Sequence, residues 1–328
     1  MWIRALADQA LNAYPGSARQ AAFQGSNLEV RMFNVGEGEA ILIVFPDRRT
    51  WLVDGGCGNS PGPNAQLAQL LAGYLQERAL TLEAFVASHP HVDHVGALAP
   101  LLTSGSAALA ATVTVYRGAT AWSGTSKWLN QYHQAITALG QAVEEVTLSD
   151  AHREVQVAPG VVAHLFAGAG AGPYTSVFLQ LRYHSARLLF TGDSYCPYEL
   201  KLLRAFGEAD FRADMLKITH HGSSSGTAGR IVKAITPSFA IASTAPDNGH
   251  RLEQDTLERV LGPAQRRRVF ETVVNGDIIV RTDGQPYNGG SLYQIEFTSP
   301  GRFADQLHAH VIPPNQIQRQ RTNDKHCQ

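Results

Sequence analysis

Four metal-competent side chains, His89, His91, Asp93 and His94, fall within six residues of the segment Ser88-His89-Pro90-His91-Val92-Asp93-His94-Val95-Gly96. Imidazole nitrogen and carboxylate oxygen suit zinc and, with more oxygen ligands, manganese or iron. From the chain's own His and Asp frequencies, His-x-His-x-Asp-His arises by chance about one time in a thousand. The apolar run Ala84 to Ser88 ends directly at His89, so the cluster sits on a strand-end loop. A fold for this chain must therefore present such a loop to a metal.

The hydrophobic pattern supplies the rest of the scaffold. Residues 28–34 alternate, 40–45 run apolar and 50–54 follow a Pro-Asp turn, so three closely spaced strands open the chain. A helix is expected over about 63–77 and a short strand over 84–88. Further strands are expected at 112–117, 142–147, 161–166, 176–182, 186–191, 213–218, 238–243, 269–274, 277–281 and 291–297, with helices at about 125–139, 196–206, 227–235 and 253–261. Early strands come as hairpins and later ones alternate with helices, which points to an α/β (α+β) fold of two mixed sheets with helices outside, a four-layer αββα sandwich. One domain is expected over 28–300, preceded by a helical extension (1–27) and followed by a polar, disordered tail (301–328) rich in Gln, Asn and Arg.

Charge and cysteine usage narrow the partners. With 27 basic against 28 acidic residues the net charge is −1, so no overall field draws in nucleic acid or an anionic membrane, and any polyanion site is local. No window approaches the roughly 18 apolar residues of a membrane span, and Met1 to Gln20 lacks the apolar stretch of a signal peptide. The three cysteines, Cys57, Cys196 and Cys327, are far apart and odd in number, which fits a reducing, cytoplasmic setting better than a disulfide scaffold.

His-x-His-x-Asp-His after an apolar strand resembles the metal motif of the metallo-β-lactamase superfamily, and three other segments stand in the order that family expects. Leu189-Phe190-Thr191-Gly192-Asp193 resembles the strand ending in the aspartate that bridges two metals. Leu216-Lys217-Ile218-Thr219-His220-His221-Gly222-Ser223 resembles the strand ending in the last histidine ligand, and Val53-Asp54-Gly55-Gly56 the first motif, whose aspartate supports the metal loop. Closer still is the soluble metallo-β-lactamase domain of ComEC-type competence proteins, which reads D-V-G-Q-G-D near its start and H-H-G-S at the last ligand. Here the start is Asn34-Val35-Gly36-Glu37-Gly38-Glu39, and the likeness spans roughly residues 28 to 262. The membrane channel of ComEC has no counterpart, so the resemblance does not imply DNA uptake.

The resemblance implies two divalent metal ions per chain, zinc first and manganese or iron as alternatives. His89 and His91 would hold the first, Asp93 and His94 the second, and Asp193 both. One of His220 and His221 completes the second site, with a lean to His220, because consecutive residues leaving a strand point oppositely. His164 lies where some relatives supply an extra ligand, and it equally fits an ordinary strand position. Two such cations activate a water to hydroxide, so hydrolysis is the natural reaction and no nucleophilic side chain is required. Gly222-Ser223-Ser224-Ser225-Gly226 matches the letters of a serine elbow, but the metal cluster already accounts for the histidines beside it.

Asp93 and His250 are the catalytic candidates, His250 as a proton donor to the leaving group. Ser223 and Ser224 are candidates for contacting a phosphate at a helix start, or simply for capping that helix. A phosphodiesterase or nuclease is the first expectation. Hydrolysis of a thioester, lactone or phosphorylcholine-type ester is the alternative, with a non-enzymatic regulatory module third. The basic residues expected near the mouth, Lys217, Arg230, Lys233 and Arg251, are sparse, and Arg266, Arg267 and Arg268 stand on a later turn, so the substrate is expected to be a phosphodiester or small ester with only weak support for a long nucleic acid. No membrane partner is expected and no protein partner is indicated.

Overall fold

In a computed structural model, which describes residues 26–58, 60–104, 108–119, 122, 126–168, 175–246, 251–263, 267–287, 290–298 and 327, the apolar runs become two facing sheets. Strands β1 (Leu28–Met32), β2 (Ala40–Val44) and β3 (Arg49–Gly55) form an antiparallel meander. The same sheet continues with three parallel strands, β4 (Thr81–Ala87), β5 (Leu109–Gly118) and β6 (Val143–Leu148). The second sheet repeats the plan. Antiparallel β7 (Ala151–Ala158), β8 (Val161–Ala167), β9 (Phe178–Tyr183) and β10 (Ala186–Phe190) lead into parallel β11 (Met215–Lys217), β12 (Phe239–Ala242) and β13 (Arg268–Glu271). Strand β14 (Asp277–Thr282) then returns to the first sheet beside β1. The small hairpin of β15 (Pro286–Tyr287) and β16 (Gly290–Ser291) follows, and β17 (Gln294–Thr298) pairs with β14.

Period-two alternation divides each apolar strand between two cores. In β2, Ile41 and Ile43 face the other sheet and meet a layer that includes Leu165, Leu179 and Leu188. Ala40 and Leu42 face outward, in one cluster with Leu67 and Leu71 of helix α1 (Pro61–Glu77). Short helices α2 (Val92–Val95) and α3 (Leu98–Thr103) and the longer α4 (Lys127–Leu139) complete that outer layer. Over the second sheet lie α5 (Cys196–Phe206), α6 (Gly229–Ile235) and α7 (Gln254–Leu261), whose Leu202, Ile231 and Val260 pack with Phe178, Leu189 and Leu216. The result is the expected αββα sandwich.

Three expectations are corrected. Strand β7 was absent from the sequence reading because it is an edge strand with exposed His152, Arg153 and Glu154, which hide its alternation. The strand expected over 269–274 stops at Glu271, and Thr272–Asn275 turns once as α8. Cys196 and Cys327 are joined in a disulfide and buried, leaving Cys57 as the free thiol, so the expectation of unpaired cysteines fails and residue 327 is anchored rather than part of a loose tail. The rest of the expected tail and the expected N-terminal helix (1–25) lie outside the described residues. Among the described residues no helix is long and apolar enough to cross a membrane.

The disulfide closes a loop of sequence separation 131, for which chain entropy gives a stabilisation of up to about 5 kcal/mol. Reduction, or Cys327→Ser, is therefore expected to lower the thermal midpoint by several degrees. A midpoint unchanged by reductant would show that the bond does not form in solution.

Candidate metal centre

The carboxyl ends of parallel β3, β4, β10 and β11 lie along one edge of the sandwich, and the loops leaving them carry the site, as open α/β sheets commonly arrange it. Strand β4 delivers Ser88, His89 and His91, with Asp93 and His94 in the single turn of α2. Strand β10 delivers Asp193, and β11 delivers His220 and His221.

Ligand atoms of Asp93, His94, Asp193 and His221 all lie within 4.8 Å of one another, and all four residues are buried. Nε2 of His94 is 3.0 Å from Asp193 Oδ2 and 3.2 Å from His221 Nε2. Nε2 of His221 is 3.3 Å from Asp193 Oδ2 and 3.5 Å from Asp93 Oδ2. His89 packs against the same group, its ring centroid 4.2 Å from that of His94 and 4.4 Å from that of His91.

The rings are oriented from behind. His94 Nδ1–H donates to Asp54 Oδ2 at 2.8 Å, and His221 Nδ1–H donates to the Ser243 carbonyl at 3.1 Å. Asp54 also accepts the Ser88 hydroxyl at 2.7 Å and the Ser88 backbone N–H at 2.8 Å. With its own proton given to Asp54, Ser88 Oγ accepts His89 Nδ1–H at 3.0 Å. All three rings thus turn Nε2 inward, the outer-shell pattern that fixes a metal-binding tautomer. Asp193 is held by its backbone N–H to Ser176 Oγ at 2.9 Å.

Two fully buried atoms of this group, His89 Nε2 and Asp193 Oδ1, have no hydrogen-bond partner among the described residues. A buried nitrogen lone pair such as that of His89 Nε2 is costly unless a proton or cation takes it, so the donor set fits a divalent metal. The electrostatics agree. Burial raises the Asp193 carboxyl, but His221 and His94 outweigh it and hold it well below the usual carboxylate range. Burial lowers the His221 imidazole, but Asp193 outweighs it and pushes it up to about 9, and His94 is raised for the same reasons.

The site calls for positive charge, which protons supply when no cation does. A cation binds these nitrogens only after their protons leave. Zinc affinity is therefore expected to be weakest in acid and to climb with pH by up to ~10-fold per pH unit for each displaced proton, through the range in which His221, pushed up to about 9, gives up its proton. A competition titration across pH tests this, and a flat profile would mean the rings are already neutral.

Of the adjacent pair, the structure brings His221, and not His220 toward which the sequence leaned, into the buried group. Both residues have left-handed backbone (φ 53° and 52°), so simple strand alternation does not apply. His220 turns toward the rim, with Nδ1 3.0 Å from Ser225 Oγ, its ring stacked on Tyr195 at 5.4 Å and Nε2 3.9 Å from Asp193 Oδ2. His164 is not brought to the centre. It stacks on His152 at 5.2 Å, with Nδ1 3.0 Å from His152 Nε2, and burial pushes it down to about 4.

Ser223 Oγ and the Ser224 backbone N–H face Glu253 Oε1 at 3.4 and 3.2 Å, so a carboxylate stands where a phosphate was expected. The helix start beyond them is also satisfied, because Glu199 accepts the N–H groups of Thr227 and Ala228, each at 2.7 Å. Asn248, Gly249 and His250 lie outside the described residues.

Lys217, expected at the mouth, is fully buried. It pairs with Glu39, donates to the Gly192 carbonyl at 2.9 Å and lies 3.6 Å from Asp193 Oδ1. Burial lowers its ammonium, but Glu39 and Asp193 outweigh it and keep it charged. Sequence reasoning missed this pair, since nothing local links residues so far apart.

A family model described as the metallo-beta-lactamase superfamily matches residues 34–245. ComE operon protein 3 of Bacillus subtilis (strain 168) is 25% identical over 266 residues, covering 77% of this chain and 33% of that protein. The uncharacterized protein YcaI of Escherichia coli (strain K12) is 24% identical over 231 residues, covering 70% and 27%. The chain thus spans about a third or less of the length of these relatives. Among solved structures, the metallo-beta-lactamase fold protein YhfI from Bacillus subtilis aligns at 14% identity over 74% of this chain and 96% of its own, with a TM-score of 0.46.

Proposed function

The chain belongs to the metallo-β-lactamase superfamily, and on that footing we propose that it is a metal-dependent hydrolase of a phosphodiester, with two divalent cations, zinc before manganese or iron. His89 and His91 would hold the first cation, Asp93, His94 and His221 the second, and Asp193 would be available to both. The observation that carries this reading is the convergence of Asp93, His94, Asp193 and His221 beside the partnerless Nε2 of His89.

Cations at such a site supply Lewis acidity, acidifying water and drawing charge from the oxygens of the attacked group, which suits a phosphoryl centre. The chain's own contribution is orientation. Asp54, Ser88 and Ser243 hold three rings with Nε2 inward, so little reorganisation opposes the reaction. Asp93, set in the single turn of α2, would take up the proton that the attacking water gives up. A small or short diester is favoured over a long strand, because two of the basic residues expected at the mouth are engaged by the chain itself: Lys217 is buried against Glu39 and Arg230 pairs with Glu208 at 3.1 Å.

The test is metal content followed by turnover of bis-p-nitrophenyl phosphate and single-stranded DNA, beside nitrocefin, lactone and thioester substrates. Diester turnover in metal-loaded protein that falls at least ~10³-fold in Asp93→Ala, about 4 kcal/mol of barrier, supports the proposal. Turnover confined to the carboxyl esters would replace it with the alternative hydrolase. Full metal with no turnover of any substrate would leave a binding scaffold.

A further inference from the structure

We propose that the buried Glu39–Lys217 ion pair sets the charge that Asp193 presents to the metal centre, with Glu39 cancelling an ammonium that would otherwise repel the cations. The proposal rests on the metal-binding reading above.

The pair joins the two sheets beneath the site. Glu39 immediately precedes β2, and its backbone is built into the metal loop: its N–H donates to the Asp93 carbonyl and its carbonyl accepts Gly56 N–H, both at 2.9 Å. Lys217 ends β11 in the other sheet, and it grips the Gly192 carbonyl, one residue before Asp193. The ammonium therefore stands against Asp193 Oδ1, at 3.6 Å. A Glu39 carboxylate oxygen, an Asp54 carboxylate oxygen and a His94 ring nitrogen also lie within 4.8 Å of one another.

A fully buried ion pair is a poor device for stability alone, since the desolvation of both charges offsets most of their attraction and an apolar pair of similar volume does as well. Its effect on neighbouring charge is large, because the surroundings screen weakly. Left alone, the Lys217 ammonium would oppose any cation sharing Asp193. With Glu39 beside it, the pair is neutral as a whole.

Second-site rescue separates this role from simple packing. Zinc titration of the metal-free full chain is expected to give at least ~10-fold weaker binding in Glu39→Gln, where the ammonium is left uncompensated. Adding Lys217→Met to that variant is expected to restore affinity to within about threefold of the parent, although one more native contact has been removed. Packing alone predicts that the double variant binds no better than the single, and that result overturns the proposal, as does parent-like affinity in Glu39→Gln. Should Glu39→Gln not fold, Lys217→Met decides: affinity at or above the parent supports the proposal, and weaker binding overturns it. A parent protein that takes up no zinc, manganese or iron would instead sink the metal-binding reading and this proposal with it.

Discussion

Asp193→Asn is expected to leave a folded protein with less than half the parent's metal and at least ~10³-fold lower kcat/KM, about 4 kcal/mol of lost transition-state stabilisation. The amide keeps the volume of the carboxylate and the backbone bond to Ser176, so the fold has no reason to fail. The charge is what goes. Oδ2 of Asp193 is the atom that His94 and His221 both face, at 3.0 and 3.3 Å, and Oδ1 is buried without a hydrogen-bond partner. Removing the carboxylate deprives both proposed cation positions of their shared ligand. His164→Leu is the control, because His164 pairs with His152 away from the centre and its loss should leave metal content unchanged. Metal analysis and turnover on the two variants decide the matter. An Asp193→Asn protein with full metal and activity within tenfold of the parent would remove Asp193 from the site.

The second large effect comes from a residue that ligates nothing. An alanine Cβ at Gly56 would lie 2.1 Å from the Asp93 carbonyl carbon and 2.4 Å from His94 N, both backbone atoms of the metal loop. Backbone cannot swing aside as a side-chain tip does, so Gly56→Ala must push α2 away from β3. Overpacking of this kind costs about 1–3 kcal/mol, and the displaced turn carries Asp93 and His94 with it. A drop in denaturation midpoint together with loss of bound metal is expected. A variant with parent stability and metal content would show that the loop has room the packing denies. Gly38 meets the same loop, with a Cβ 2.8 Å from the Asp93 carbonyl oxygen at a φ of +135°, which gives a physical reason for a glycine in each of the two opening motifs.

Much of the scaffold was readable along the chain because its signals are local. Helix α5 matches the expected 196–206, and β2 and β8 match the expected runs to within one residue. Where the reading failed, the deciding interaction lay elsewhere in space. Strand β7 shows no clean alternation because its successive residues His152, Arg153 and Glu154 are all exposed at the end of the sheet, and the apolar letters of Thr272–Asn275 do not distinguish a strand's end from a helical turn. Cys196 and Cys327 carry no mark of pairing at a separation of 131.

The candidate site divides along the same line. His89, His91, Asp93 and His94 were fixed as a group by the sequence, since six consecutive positions on a strand-end loop cannot lie far apart. The folded chain alone decided which of two adjacent histidines turns inward, because two left-handed residues in succession aim His221 at Asp193 and His220 at Ser225. It alone made Lys217 an interior charge matched to Glu39. Local covalent spacing sets which groups can meet on one loop, whereas the direction of a side chain across a turn and the neutralisation of a buried charge depend on partners that only packing brings near.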